Sequence, residues 1–136
     1  QRRASRLKSL GHDVTDYGTH SEDSVDYPDY GFAAAEAVSR GQADRGLLVC
    51  GTGLGMSYVA NKVQGIRAAL CTSPERAEMS RRHNDANILV LGGRTTSPED
   101  ALRILDAWLS AEFEGGRHEN RIRKIREYEK KAGKET

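Results

Sequence analysis

Three short apolar runs, each followed by a segment long enough for a helix, most constrain how this chain folds. The runs RGLLVC, IRAALC and NILVLG occupy residues 45–50, 66–71 and 87–92. They are continuously apolar rather than alternating, which is typical of strands that are buried on both faces of a parallel sheet. Parallel strands joined by helices pack into a sheet that is covered by helices on both faces. The sequence therefore predicts an α/β fold with a doubly wound parallel sheet.

Capping residues mark where the helices begin and end. Ser73 and Ser97 are each followed by proline, a pair that is typical of the first residues of a helix. Gly11 and Gly41 stand at positions that end helices. The patterns predict a short strand over residues 12–18 and helices over residues 1–11, 29–40, 56–63, 73–83, 97–113 and 115–131.

Length and charge exclude several functional classes. A chain of 136 residues is long enough for one compact core, so we expect a single domain over residues 1–136. Its formal net charge of +1 gives no overall attraction to nucleic acid or to an anionic membrane. Acidic residues also interleave the basic ones of the last helix. No apolar stretch approaches the ~20 residues of a membrane helix and no signal peptide is recognisable, so we expect a cytoplasmic protein without a nucleic-acid or membrane partner.

The glycine-rich segment after the first apolar run is the strongest candidate for a ligand site. GTGLG occupies residues 51–55 directly after Cys50, and ligands of such sheets bind beyond the carboxyl ends of the strands. Glycines allow the backbone to approach a ligand closely, and the amides can bind an anion. The spacing matches neither the dinucleotide-binding pattern nor the Walker loop. A tight turn between a strand and a helix is the alternative explanation of these glycines.

The two cysteines, Cys50 and Cys71, lie at the ends of separate predicted strands. They form no CxxC pair and no Cys/His ligand pattern, so we expect neither a disulfide framework nor a structural metal. A thiolate is stabilised at the start of a helix, which favours a reactive role for Cys50 over that of a small buried side chain. Cys71 precedes a helix cap without a glycine loop, and we expect it to be structural.

Four long motifs carry a resemblance to a known family. These motifs are VCGTGLGMS, ANKVQGIRAAL, SRRHNDANILVLGGR and DAWLSAEFEGGRHENR. They resemble the type B ribose 5-phosphate isomerases, in the family that includes the galactose 6-phosphate isomerase subunits. The resemblance implies a small Rossmann-like α/β enzyme that acts as a homodimer or a dimer of dimers. It also implies the interconversion of ribose 5-phosphate and ribulose 5-phosphate without a metal or an organic cofactor.

The resemblance assigns roles around the glycine loop and around His83. Cys50 matches the base that moves a proton between C2 and C1 of the sugar, and His83 matches the residue that relays a proton as the sugar ring opens. Asn84 matches a ligand of a sugar hydroxyl. The resemblance implies that five residues line the enediolate, through their amides and one hydroxyl: Gly51, Thr52, Gly53, Leu54 and Gly55.

Cations are needed to hold the phosphate of such a substrate. Arg117 and Arg121 are spaced i, i+4 at the start of the last helix, which places both side chains on one face. Positive charge is unfavourable at a helix N-terminus unless an anion lies between the side chains, and a solvated charged face is the alternative. The resemblance favours phosphate binding, and it implies that Arg94 reaches the phosphate in the neighbouring subunit's site.

The sequence assigns no definite role to several other residues. The resemblance places Tyr27 in a loop that lines the sugar pocket together with Asp26 and Tyr30, although helix capping and packing explain these residues equally well. His118 could lie near the phosphate, but its spacing does not require this. Trp108 belongs to the core or to a dimer face of an amphipathic helix.

Two questions remain open at the level of sequence. Members of the resembled family begin with a strand that ends in an Asp-His pair, so we expect the first strand of the sheet to be absent from residues 1–136. The physiological sugar is also undetermined, since allose 6-phosphate, galactose 6-phosphate and erythrulose 4-phosphate are alternative substrates in this family. A non-catalytic relative that binds a phosphosugar is the alternative to an enzyme.

Overall fold

A computed structural model of the chain describes residues 11–15 and 27–134, and the following statements refer to these residues. Three strands form a parallel sheet in the order β1-β3-β2: β1 is Gly46–Cys50, β2 is Ala68–Leu70 and β3 is Ile88–Gly92. Five helices accompany the sheet: α1 is Tyr27–Ser39, α2 is Leu54–Asn61, α3 is Pro74–Arg82, α4 is Pro98–Ser110 and α5 is Arg117–Lys134.

The central strand β3 divides the core into two layers. Ile88 and Val90 pack with residues of α1 and α2 on one face of the sheet, whereas Leu89 and Leu91 pack with residues of α3 and α4 on the other. Successive side chains of a strand point to opposite faces, so a strand that is covered on both faces must be apolar at every position. The prediction of a doubly wound parallel α/β sheet is confirmed.

The strand register defines two edges of the sheet. β1 and β3 run in parallel from the pair Gly46–Ile88 to the pair Cys50–Gly92. We call the edge at Cys50 and Gly92 the carboxyl edge, and the edge at Gly46 and Ile88 the amino edge. At ~3.3 Å per residue, these edges are about 13 Å apart along the strands.

Every described helix differs from its prediction by one or more residues at an end, and the cause is visible at α2 and α4. α2 begins at Leu54 and ends at Asn61, two residues earlier at each end than predicted, because Gly53 turns the chain with φ of 85°. The tight turn therefore comprises residues 51–53 alone. α4 ends at Ser110 rather than at residue 113, since Ala111 adopts an extended conformation with ψ of 143°.

The predicted caps are present at α3 and α4. The Ser73 hydroxyl accepts a hydrogen bond from the amide of Arg76, and the Ser97 hydroxyl accepts one from the amide of Asp100. Such bonds satisfy amides that have no partner within the helix. Among the described helices, none is both long and apolar enough to cross a membrane.

Several predictions for the N-terminal part lie outside the described residues. These are the helix over residues 1–11, apart from Gly11, the later part of the strand over residues 12–18, and the capping role of Asp26. Residues 12–15 are described and are not part of a strand. A strand requires a ladder partner, and the described pairings join only β1 with β3 and β2 with β3.

Candidate active site

The glycine loop lies at the carboxyl edge and is held against the segment that follows β3. The amide of Gly93 donates to the carbonyl of Cys50 at 2.7 Å, and the amide of Arg94 donates to the carbonyl of Gly51 at 2.9 Å. Cys50 is half-buried and packs against the α1–α2 layer of the core. Its thiol is therefore held by the packing of β1 beside the glycine loop and is not part of the loop itself.

Gly53 adopts a conformation that side chains rarely take. Its φ is 85°, and a Cβ there would lie 2.4 Å from the Leu70 Cδ1 atom and 3.3 Å from the amide nitrogen of Gly92. A left-handed backbone conformation costs an L-residue about 1–2 kcal/mol. A side chain at this position would require the Leu70 side chain to move and the backbone at Leu91 and Gly92 to shift by a few tenths of an ångström.

Substitution of Gly53 by alanine is expected to lower the free energy of unfolding by about 2–3 kcal/mol, since strain and crowding add. The matched control is Gly41→Ala, because Gly41 also has a positive φ, of 77°, but has nothing within 4 Å of its Cβ position. It should cost only about 1 kcal/mol. Urea unfolding followed by circular dichroism measures both values, and equal losses would show that crowding at Gly53 has no effect.

The start of α2 presents backbone and side-chain hydrogen-bond donors beside Cys50. Gly53 occupies the N-cap position and supplies no side-chain bond, so first-turn amides lack a partner within the helix. The amide of Leu54 is the exception, since it donates to the Thr52 hydroxyl oxygen at 3.3 Å. This bond leaves the hydroxyl hydrogen of Thr52 free to be donated to a ligand.

Two further predicted site residues border the loop. A Cβ at Gly55 would lie 2.5 Å from the Tyr27 hydroxyl oxygen, and a Cβ at Gly51 would lie 3.3 Å from the Arg94 Nε atom. The glycines thus allow a phenol and a guanidinium to approach the backbone. We call Cys50, Tyr27, Arg94 and residues 51–55 the carboxyl-edge group.

Cys71 and Trp108 belong to the core. Cys71 is 2% exposed, and its burial raises the pKa of the thiol, which keeps it in the neutral form. Trp108 is 1% exposed and packs in the layer between the sheet and α4. The structural role expected for Cys71 is confirmed, and of the two interpretations of Trp108 the core position is the observed one.

The remaining predicted site residues lie at the opposite edge of the sheet. His83 is the C-cap of α3, and it precedes β3, so it lies at the amino edge together with Asn84. Arg117 and Arg121 are exposed in the first turns of α5. They lie near His118, whose pKa is lowered mainly by burial and further by His83 and these two arginines. Within one chain, the structure therefore does not bring His83 to Cys50.

An arginine-rich network holds the turn that carries His83 and Asn84. Arg67 donates from Nε to the carbonyl of Asn84 at 3.1 Å and from Nη2 to the carbonyl of Asp85 at 3.0 Å. Arg81 donates to the Asp85 carboxylate at 3.0 Å, and Asp85 has a positive φ of 48°. Sequence reasoning missed these residues, although the i, i+4 spacing of Arg81 and Asp85 was a signal.

Glu114 is a second residue that sequence reasoning missed. Its Oε1 atom lies 3.6 Å from the Nε2 atoms of both His83 and His118. The two imidazole rings are stacked, with centroids 4.3 Å apart and an interplanar angle of 15°. The Arg82 Nε atom donates to the Glu114 Oε2 atom at 2.8 Å. We call Glu114, His83, His118 and Arg82 the histidine–glutamate cluster.

Among the described residues, three members of the histidine–glutamate cluster bring together side-chain atoms of the kind that bind metal ions. The ligand atoms of His83, Glu114 and His118 are all within 4.8 Å of one another. An imidazole binds a metal through a lone pair in the plane of its ring, and stacked, nearly parallel rings do not direct their lone pairs to one point. Glu114 is also ion-paired with Arg82. The arrangement fits an electrostatic cluster better than a metal centre.

His118 gives the cluster a measurable pH dependence. Burial lowers the pKa of His118 below its ordinary value of 6.5, with the charge of His83 as the next cause. The unfolded chain then binds more protons than the folded chain, so stability is lost as the pH falls below 6.5.

The substitution His118→Gln is expected to weaken the loss of unfolding free energy between about pH 7 and about pH 5. Urea unfolding at both pH values measures this loss. The loss measured for the parent at the same two pH values is the reference. An unchanged loss in His118→Gln would contradict the assignment.

Comparison with known proteins identifies the family. The family model described as "Ribose/Galactose Isomerase" matches residues 3–125. Ribose-5-phosphate isomerase B of Escherichia coli (strain K12) is 48% identical over 121 residues, which cover 89% of this chain and 81% of that protein. The structure of Clostridium thermocellum ribose-5-phosphate isomerase B is 58% identical, with a TM-score of 0.94, and the match covers 96% of this chain and 88% of that one.

A third relative has been solved with a ligand. Ribose-5-phosphate isomerase B from Mycoplasma genitalium, with bound ribulose-5-phosphate, is 42% identical with a TM-score of 0.89, and the match covers 93% of this chain and 84% of that one. A family model that spans most of the chain, together with these identities over nearly its full length, leaves one conclusion. This chain belongs to the ribose/galactose isomerase family.

Proposed function

We propose that this protein is an aldose–ketose isomerase that interconverts ribose 5-phosphate and ribulose 5-phosphate. The observation that carries the proposal is the thiol of Cys50 beside the start of α2, in a family whose Mycoplasma genitalium member binds ribulose-5-phosphate. Moving a carbonyl between C1 and C2 requires a base and a means of stabilising an enediolate. The carboxyl-edge group contains residues suited to both.

In the proposed mechanism, the Cys50 thiolate takes the proton from C2 of the open-chain aldose. The C1 carbonyl becomes part of an enediolate, and the protonated thiol then delivers a proton to C1, either the one it took or one exchanged with solvent, while the hydroxyl proton at O2 moves to O1. The Thr52 hydroxyl and amides of the segment Gly51, Gly53 and Gly55 donate hydrogen bonds to the developing oxyanion. One such donor is worth about 3 kcal/mol of transition-state stabilisation. The Leu54 amide contributes indirectly, by orienting the Thr52 hydroxyl.

We further propose that each active site is built from two chains. Ring opening and phosphate binding need His83, Asn84, Arg117 and Arg121. These residues lie on the side of the amino edge, whereas Cys50 of the same chain lies at the carboxyl edge, and the two edges are about 13 Å apart along the strands. A second copy would bring its amino edge to the carboxyl-edge group of the first. Arg94, beside Gly51, would then meet the phosphate held by the partner subunit's arginines. The assembly is accordingly a homodimer, or a tetramer of two such dimers.

Exposed apolar side chains beside the glycine loop support this assembly. Tyr58 and Leu54 on α2 are 65% and 50% exposed, and Tyr27 on α1 is 44% exposed. Neighbouring apolar groups of this size on a surface are typical of a protein interface. A partner that covers them would also exclude water from the enediolate, which strengthens every hydrogen bond in the site.

The assay that tests the proposal measures conversion of ribose 5-phosphate to ribulose 5-phosphate by the metal-free protein. We expect turnover in both directions and no dependence on an added cofactor. Turnover on allose 6-, galactose 6- or erythrulose 4-phosphate, with none on ribose 5-phosphate, would keep the reaction class and change the substrate. Binding of ribose 5-phosphate without any turnover would instead indicate a non-catalytic phosphosugar-binding protein.

A further inference from the structure

We infer that Glu114 is a positioning residue that fixes the imidazole of His83 for opening of the sugar ring. The inference rests on the proposed function, because it assumes that the substrate is a cyclic sugar phosphate. It adds a residue to which neither the sequence motifs nor the comparisons assign a role. Three observations support the role of Glu114: the position of its backbone, the contacts of its carboxylate, and the stacking of the two histidine rings in the histidine–glutamate cluster.

The backbone of Glu114 is joined to the end of α3. The Glu114 amide donates to the carbonyl of Arg82 at 2.9 Å, and Arg82 is the residue directly before His83. The segment between α4 and α5 is therefore attached at the point where the chain leaves α3. This bond places the Glu114 side chain beside His83 although the two residues are far apart in sequence.

One carboxylate oxygen of Glu114 is bound by Arg82, and the other oxygen faces the two histidines. Arg82 contacts the Oε2 atom through both Nε and Nη2, and Arg82 is itself paired with Glu78 at 3.2 Å. The hydrogen bond from Arg82 is the leading cause that lowers the pKa of Glu114. The group is therefore a carboxylate at neutral pH, and its free oxygen is an acceptor at a fixed position.

The second oxygen, Oε1, faces the Nε2 atoms of His83 and His118 at 3.6 Å. This separation is longer than a hydrogen bond, and it is short enough for the carboxylate to attract an N–H group. A carboxylate facing one nitrogen of an imidazole favours the form in which that nitrogen carries the proton. Nδ1 of His83 is then left to exchange a proton with the sugar.

The buried ring of His118 limits the movement of His83. His118 is 8% exposed, whereas the His83 side chain is 37% exposed. The more exposed ring is thus stacked on a buried ring. The carboxylate and the stacking partner together restrict both the rotation and the tilt of the His83 imidazole.

Ring opening needs an imidazole in one orientation. The C1–O4 bond breaks, a carbonyl forms at C1, and the proton of the anomeric hydroxyl is transferred through His83 to O4. No oxidant or further reactant is required. A ring that rotates freely would present the correct nitrogen to the sugar only part of the time, so loss of Glu114 should slow this step and leave the chemistry at Cys50 unchanged.

The test separates ring opening from the proton transfer at Cys50. Conversion of ribose 5-phosphate, which is mainly a furanose, needs both steps. Exchange of a C1 hydrogen of ribulose 5-phosphate with D₂O needs only enediolate formation, because ribulose 5-phosphate cannot close a furanose ring through its phosphorylated O5. We expect Glu114→Gln to lower conversion about tenfold and to change the exchange rate less than about twofold.

Two further variants serve as references for the result with Glu114→Gln. Glu112→Gln changes an exposed carboxylate in the same segment and should match the parent in both assays, whereas His83→Asn should lower conversion further than Glu114→Gln and keep the exchange. Unchanged conversion in Glu114→Gln, or an equal loss of both activities, would overturn the inference, since an equal loss indicates a structural role. A parent without either activity would instead refute the proposed function, and the inference with it.

Discussion

Replacing Cys50 by alanine is expected to lower kcat for ribose 5-phosphate by about a thousandfold or more, with little change in KM. Among the described carboxyl-edge residues, the thiol is the group suited to take a proton from carbon, since its neighbours are glycines, Thr52, Leu54, Tyr27 and Arg94. In the proposed mechanism, loss of this base leaves the proposed phosphate ligands and oxyanion donors intact. Binding should therefore survive while proton transfer at C2 is lost.

Initial rates of conversion and the exchange of C1 hydrogen with D₂O measure the effect of Cys50→Ala, and both should fall. Cys71→Ala is the matched control, because Cys71 is buried in the core. It should lower stability and leave kcat nearly unchanged. Turnover that survives in Cys50→Ala would refute the thiol mechanism, whatever the result of the control.

Mixing two inactive variants is expected to restore activity if the sites are shared between chains. Cys50→Ala and His83→Asn should each be strongly impaired as pure assemblies. In a mixed dimer, one site combines both substituted residues, and the other combines the intact Cys50 of one chain with the intact His83 of the partner. Random pairing places half of the chains in mixed dimers, so the recovered activity should be about a quarter of that of the parent.

The two variants are mixed by refolding them together, and separate refolding of each variant provides the baseline. The Cys50→Ala chain mixed with a Cys50→Ala, His83→Asn chain is the control, since no arrangement of these chains contains an intact thiol. Recovery in the first mixture alone would support a site built from two chains. Absence of recovery, in a mixture shown by mass to contain mixed dimers, would mean that Cys50 and His83 act within one chain or not at all.

The elements of this fold follow largely from local patterns in the sequence. The three apolar runs are the three described strands, because a strand covered on both faces must be apolar at each position. Ser73 and Ser97 cap α3 and α4 as predicted, since a hydroxyl before a proline satisfies an exposed amide. The start of α2 at Leu54 was missed, because the sequence does not show that Gly53 adopts a positive φ.

The sequence also identified the residues of the candidate site, which are Cys50, the glycine loop, His83 and the arginines of α5. Their division between two edges follows from chain order, since Cys50 ends β1 and His83 precedes β3 in a parallel sheet. Only the tertiary structure brought Glu114 to His83 and stacked His118 on it. Contacts between residues far apart in sequence depend on how helices and connecting segments pack together, and no local pattern of side chains contains that information.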